Sequence, residues 1–237
     1  MVRYFKKGAR KFWARVTLLS VELIVVLIAF FSGLAAFIII AKMIFLEKRE
    51  AFDSRIFSFL ERHINNVNTS LMQFFSFLGS HYFLIPANIA IAAFFLFIKK
   101  HTWYSIKVPV ISLSGLIVMF VLKQFFHRER PLVPLLQAAK GLSFPSGHAL
   151  MSFAFYGLFI YLSWHGVENK ILRIIFIILL LVLIFFIGLS RIYLRVHFAS
   201  DVIAGFCVGL IWLVLSLTIL NRIERVSHKN LSLVVED

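Results

Sequence analysis

Residues 171–189 read ILRIIFIILLLVLIFFIGL, with Arg173 as the single charge near one end. A helix needs roughly 20 predominantly apolar residues to cross the hydrocarbon core of a bilayer, and this run meets that length on its own. Tyr82–Ile98, Lys107–Leu122, Ala149–Trp164 and Val202–Leu220 are runs of the same kind, and a longer one extends from Val16 to about Phe45. Of the 237 residues, 61% are hydrophobic and 15% charged, the 28 Phe outnumber the 25 Lys and Arg together, and the mean hydropathy is +0.92. A soluble domain carries about 25% charged residues, and a water-soluble globule of this length has no interior large enough for so much apolar side chain. The chain reads as an integral membrane protein, an all-α polytopic bundle of six transmembrane helices.

The segments between the runs complete the layout. The first run is too long for a cleaved signal peptide, whose apolar core is about 7–15 residues, so it is a retained span. Residues 46–81 are polar and of mixed charge. Within them Phe52, Ile56, Phe59, Leu60 and Ile64 recur at helical spacing, with Asp53, Arg55, Glu61 and Arg62 between them, which predicts an amphipathic helix at the outer interface. The chain divides into a basic N-terminal segment (1–15), a membrane domain (16–226) and a loose C-terminal tail (227–237). Cys207 is alone in an apolar stretch and has no disulfide partner. Gly205 and Gly209 form a small-x3-small spacing suited to close helix packing, Pro86 and Asn88 are packing features of the second span, and Glu22 has no evident role.

The net charge of +14 does not mean nucleic acid here, because the cations sit between apolar runs, where an anionic lipid surface attracts them. With the N-terminus inside, 14 of the 25 basic residues fall on the inner side: Arg3, Lys6, Lys7, Arg10, Lys11, Arg15, Lys99, Lys100, Lys107, Lys170, Arg173, Arg222, Arg225 and Lys229. Five outer cations, Lys42, Lys48, Arg49, Arg55 and Arg62, lie between the first two spans beside Glu47, Glu50, Asp53 and Glu61. The other six, Lys123, Arg128, Arg130, Lys140, Arg191 and Arg195, lie in the outer loops after the third and fifth spans. Positive charge there works against the topology signal, so it needs a chemical reason.

One of these loops begins Lys123-Gln-Phe-Phe-His-Arg-Glu-Arg130-Pro131 and ends Pro145-Ser146-Gly147-His148; the other runs from Ser190-Arg191 to His197 and Asp201. Lys123, Arg130 and Arg191 are suited to the non-bridging oxygens of a phosphate. Ser146, Gly147 and His148 precede an apolar run, so their amides open a helix, where free N–H groups attract an anion. His197 and Asp201 are spaced i, i+4, which on a helix shares a face. A carboxylate on one ring nitrogen leaves the other as nucleophile, and His148 is then free to serve as general acid and base. No His, Cys and carboxylate cluster with metal-ligand spacing lies beside these residues, so the expected site has no metal and no cofactor. His127, Arg128, Tyr193 and Arg195 are secondary candidates for headgroup contact.

These segments, K-x6-R-P, P-S-G-H and S-R-x5-H-x3-D, resemble the three-part signature of the type 2 phosphatidic acid phosphatase family of membrane lipid phosphatases. The resemblance implies a metal-independent phosphatase working through a phosphohistidine on His197. Asp201 orients that histidine and His148 protonates the leaving group. Lys123, Arg130, Arg191 and the Ser146–Gly147–His148 amides hold the phosphate. It implies a lipid substrate (phosphatidylglycerol phosphate, undecaprenyl diphosphate or phosphatidate) and vanadate as an inhibitor. The expected partners are that lipid and the bilayer, with no nucleic acid and no obligate protein. The expected place is a bacterial inner membrane, with both termini cytoplasmic and the site facing the periplasm or exterior. Transfer of the phosphoryl group to another lipid headgroup, or a non-catalytic lipid-binding module, are the alternatives.

Overall fold

The computed structural model describes residues 2–135 and 141–235, and the side chains of 21, 23–135 and 141–228. Lys140 lies outside the described residues, and the side chains of Arg3, Lys6, Lys7, Arg10, Lys11, Arg15, Glu22 and Lys229 lie outside the described side chains. The regular elements among the described residues are all helices: α1 (Val2–Ala41) ending in a π-helical turn (Lys42–Leu46), α2 (Ala51–Glu61), α3 (Asn66–Leu78), α4 (His81–Ala93) with a second π-helical turn (Phe94–Ile98), α5 (Thr102–Phe126), α6 (Gly147–Gly166), α7 (Lys170–Tyr193) and α8 (Ala199–Val235).

Local chemistry sets several of these boundaries. The Asn65 side chain accepts from Asn68 N at 2.8 Å to start α3, and Asn169 accepts from Ile171 N at 2.9 Å to start α7, each satisfying a donor that a helix end leaves free. At the other end of α5, His127 takes a left-handed conformation (φ 46°) that stops the helix and turns the chain back over the bundle.

Five helical stretches are long and apolar enough to cross a bilayer: Leu23–Leu46, His81–Ile98, Thr102–Phe126, Lys170–Tyr193 and Ala199–His228. The remaining expected span, Ala149–Trp164, falls inside α6. Serines, tyrosines and a tryptophan dilute its apolar character, and its position explains why that is tolerated. Ala149, Leu150, Ala154, Phe155 and Leu158 of α6 are buried among α4, α5, α7 and α8, whereas α7 exposes Leu172, Ile175, Leu179, Val182 and Phe185 on its outer side. A helix enclosed by protein need not be apolar all round, and one facing lipid must be.

Three expectations are corrected. Residues 46–81 form two helices rather than one, and α2 buries Asp53 instead of presenting it to water. Ile56, Phe57 and Leu60 pack on Ile192, Ala199 and Val202, so α2 is seated on the ends of α7 and α8. The tail expected to be loose from residue 227 continues α8 to Val235. Lys107 is not a surface anchor: it is 2% exposed, and its Nζ donates to Asn221 Oδ1 and Glu224 Oε2, each at 2.7 Å. Burial is tolerable because the charge is paired and hydrogen-bonded.

α8 comes close to the start of α6 backbone to backbone, as the glycine spacing suggests. A Cβ on Gly205 would lie 2.6 Å from the Ser146 carbonyl oxygen and 2.9 Å from Ala149 Cβ, and one on Gly209 would lie 2.8 Å from the Leu150 carbonyl oxygen. Backbone atoms cannot swing aside as a flexible side chain can. Gly205→Val is therefore expected to destabilise the bundle by about 1–3 kcal/mol or more, seen as a lowered midpoint in thermal unfolding of the detergent-solubilised protein; an unchanged midpoint would contradict this packing.

Candidate functional site

The last turn of α5 carries Lys123, and the reversal at His127 brings Arg128 and Arg130 back across one end of the bundle. The returning loop is tied down by Ser143 N donating to the Arg128 carbonyl at 2.7 Å. Its Phe144 ring packs against Phe126 (centroids 4.9 Å apart) and against Phe37 and Phe45 from the first helical stretch. α6 starts at Gly147, placing His148 in its first turn. α7 ends just beyond Arg191, and a turn with Arg195 at φ 53° leads through His197 into α8. Two segments about fifty residues apart meet where Ser146 N donates to the Asp201 carbonyl at 3.0 Å.

His197 is 2% exposed. Its Nδ1 lies 3.6 Å from Asp201 Oδ2 and 3.3 Å from Ser143 Oγ, and its Nε2 lies 3.2 Å from Arg130 Nη1. A guanidinium has donors only, so Nε2 is the acceptor and the ring proton sits on Nδ1, toward Asp201. The i, i+4 pair does not share a helix face, which corrects the expectation from spacing. His197 is in the turn before α8 and Asp201 in its first turn, where Oδ2 reaches back to accept from Phe198 N at 3.0 Å, as in the reciprocal half of a capping box. Burial, reinforced by Arg130 and Arg191 and opposed by Asp201, pushes His197 down to about 4. The imidazole is therefore neutral at neutral pH.

The cations are held largely by oxygens that carry no formal charge. Lys123 Nζ donates to the Leu142 carbonyl, and Arg130 donates through Nε to the Gly141 carbonyl (2.9 Å) and through Nη1 to the Val196 carbonyl (2.7 Å). Arg191 Nη1 donates to Ser76 Oγ of α3. Arg191 Nε and Ser146 Oγ are buried with no hydrogen-bond partner, and of the two residues Arg191 lines the cavity described below. The Ser146 amide is occupied by the Asp201 carbonyl, which corrects its expected part in anion binding. The amides of Gly147 and His148 remain in the first turn, ahead of the first intrahelical bond from Leu150 N to the Ser146 carbonyl.

A cavity of about 740 Å³ opens onto these groups. Lys123, Arg130, Gly147, His148, Arg191 and His197 line its polar end, together with His81 and Gly79, while Ser146 and Asp201 lie buried behind it. Its other walls are mainly apolar, built by Leu84, Ile85 and Ile89 of α4 and Leu113, Leu116 and Phe120 of α5, with Asn88 and Ser112 as polar exceptions. Among the described residues, no group of three or more His, Cys, Asp or Glu side chains is placed to hold a metal ion.

The secondary candidates do not line this cavity. Arg195 pairs with Glu61 at 3.0 Å, and the Tyr193 hydroxyl accepts from Asn65 N at 3.3 Å at the start of α3. His127 is the helix terminus, and Arg128 points away from the cavity to bridge Asp201 and Asp53. Sequence reasoning missed Asp53, Ser76, His81, Ser143 and Ser200. A signal existed for Asp53, which is in register with Ile56, Phe57 and Leu60 on the inward stripe of α2. Single serines and the exposed His81 carry no such periodic mark.

The sequence pattern of the PAP2 superfamily matches residues 104–225, a segment that holds every motif residue named above. The chain is 30% identical over 168 residues to phosphatidylglycerophosphatase B of Bacillus subtilis (strain 168), covering 70% of this chain and 80% of that protein. It is 32% identical over 111 residues to the putative undecaprenyl-diphosphatase YbjG of Escherichia coli (strain K12), covering 45% and 52%. The crystal structure of a transmembrane PAP2-type phosphatidylglycerolphosphate phosphatase from Bacillus subtilis superposes with a TM-score of 0.75 at 27% identity, over 83% of this chain and 98% of that one. A helical membrane bundle with this matched segment and these relatives belongs to the PAP2 superfamily.

Proposed function

We propose that the protein is a lipid phosphatase that hydrolyses a phosphomonoester or diphosphate of a membrane lipid at the outer face of a bacterial inner membrane. The observation that carries this reading is the composite cavity: a cationic, histidine-containing end continuous with an apolar channel between α4 and α5. A soluble sugar phosphate has no use for that channel, whereas a lipid tail does. In this reading α6 is the sixth span, residues 16–226 form the membrane domain, and the basic segment 1–15 and the C-terminal end lie on the cytoplasmic side. The relatives, a phosphatidylglycerophosphatase B and a putative undecaprenyl-diphosphatase, favour phosphatidylglycerol phosphate or undecaprenyl diphosphate, with phosphatidate as the third candidate.

His197 Nε2 attacks phosphorus while Asp201 holds the Nδ1 proton. The N–P bond forms as the P–O bond to the lipid breaks, and His148 donates the proton that the leaving oxygen takes. Water, deprotonated by His148, then cleaves the phosphohistidine and releases inorganic phosphate. Lys123, Arg130 and Arg191 stabilise the charge spread over the transferring phosphoryl group, in the role a divalent metal has elsewhere. Burial, with Arg191 and His197 nearby, holds His148 well below the ordinary imidazole range; the phosphate's own negative charge opposes that shift and favours the imidazolium form that the first step requires.

Purified protein in detergent with chelator present is expected to release phosphate from one of these lipids far faster than from a soluble sugar phosphate. His197→Ala should lower the rate roughly 10³-fold or more. Dependence on added divalent metal would overturn the metal-free mechanism, and turnover only with an added acceptor lipid would make the protein a phosphotransferase. Leu116→Trp, which fills the apolar channel, should slow the long-chain lipid while sparing a short-chain phosphate ester; equal effects on both would remove the lipid argument. In ¹⁵N-histidine NMR spectra of the ligand-free protein, the His197 resonances should remain those of a neutral imidazole as the pH falls through 6.5, protonating only near pH 4. A midpoint near 6.5 would contradict the buried, cation-flanked environment.

A further inference from the structure

Asp53 is a buried carboxylate that the proposed chemistry does not use. It lies on α2, outside the segment matched to the superfamily, and is 2% exposed. Its Oδ2 accepts from Arg128 Nη2 at 2.9 Å and from Ser200 Oγ at 2.6 Å, and its Oδ1 accepts from Ser200 N at 2.9 Å. The other arm of Arg128 donates to Asp201 Oδ1 at 2.6 Å and to Ser200 Oγ at 2.8 Å, and the guanidinium stacks on the Phe198 ring at 4.1 Å. One guanidinium thus joins a carboxylate on α2 to the carboxylate beside His197.

We propose that Asp53 is a positioning residue for the reaction: through Arg128 it fixes the Asp201 carboxylate and, with it, the orientation of the His197 ring. The inference rests on the nucleophilic role given to His197 above. Asp201 is gripped by Arg128 on Oδ1 and by Ser143 Oγ and Phe198 N on Oδ2, and it stands 3.6 Å from His197 Nδ1. A hydrogen bond of this kind is normally about 2.7–3.2 Å long, so a displacement of a few tenths of an ångström decides whether it forms. Asp53 shares the charge of Arg128 and locks its plane. Without Asp53 the whole positive charge falls on Asp201 and draws the carboxylate toward the guanidinium, away from the imidazole. A mere anchor for α2 has no reason to bind through the one arginine that also holds Asp201.

The test is Asp53→Asn in the full-length protein, beside the wild type and His197→Ala. The amide keeps the shape and the acceptor for Ser200 N, and it leaves Arg128 and Asp201 as a balanced pair, so the fold is expected to persist. The rate constant kcat should fall about 10- to 100-fold, the scale of a small misplacement at a reacting centre, with KM within about threefold of wild type. In ¹⁵N-histidine spectra the His197 proton should stay on Nδ1, where the Arg130 donor on Nε2 keeps it, while the Nδ1–H resonance shifts as the contact with Asp201 loosens. A kcat within twofold of wild type overturns the proposal. So does a loss of activity matched by a lowered unfolding midpoint with the His197 Nδ1–H resonance unchanged, which assigns Asp53 to stability alone. Full activity of His197→Ala would instead overturn the nucleophile assignment itself. If Asp53→Asn does not fold, Ser200→Ala, which keeps every charge and removes the hydroxyl between Asp53 and Arg128, is read by the same criteria.

Discussion

The pocket depends on a backbone contact between the first turns of α6 and α8, made possible by the absence of side chains at Gly205 and Gly209. Ser146 N donates to the Asp201 carbonyl at that point, so the segment ending in His148 and the segment carrying His197 are joined at van der Waals distance. Water gives helices no strong incentive to associate inside a bilayer, since lipid tails are as apolar as the side chains they would replace, and close packing of small residues supplies the association instead. The distance between the two histidines is therefore set by main-chain contact and not by the long side chains around them.

The second constraint is electrostatic. Lys123, Arg130 and Arg191 face one cavity, and like charges in a low-dielectric setting repel. The structure stabilises them with carbonyl oxygens from Gly141, Leu142 and Val196 and with the Ser76 hydroxyl. Such partners satisfy individual N–H groups without cancelling the charge, so the positive potential of the pocket is kept for an anion. The carboxylates sit behind the cavity: Asp201 and Asp53 take up Arg128, which does not line it. A carboxylate in the pocket itself would compete with phosphate for the same donors.

Much of the fold was legible because lipid imposes a strict rule on sequence. A helix must be long and apolar to face hydrocarbon, and five stretches are recognisable on that ground alone. The rule weakens for α6, which is enclosed by other helices, and for α2, whose inward stripe includes a carboxylate. Hydropathy assigns Asp53 and Lys107 to water because it records what a side chain costs alone, whereas both are buried beside partners from distant segments. Similarly, the i, i+4 spacing of His197 and Asp201 suggested a helical face, but α8 begins between them and their pairing is made by a turn.

The sequence by itself determined the class of the molecule and the chemistry of the pocket, since apolar run length and the charges of short motifs are local properties of the chain. It marked Lys123, Arg130, Gly147, His148, Arg191 and His197, and the fold brings these six to one cavity. Only the tertiary structure decided how each is oriented: which nitrogen of His197 accepts from Arg130, which carbonyls hold the cations, and that Asp53 and Ser76 reach in from helices outside the motifs. Those features arise from contacts between residues as much as 147 positions apart, and a hydrogen bond leaves no trace in composition or periodicity until both of its ends have been placed.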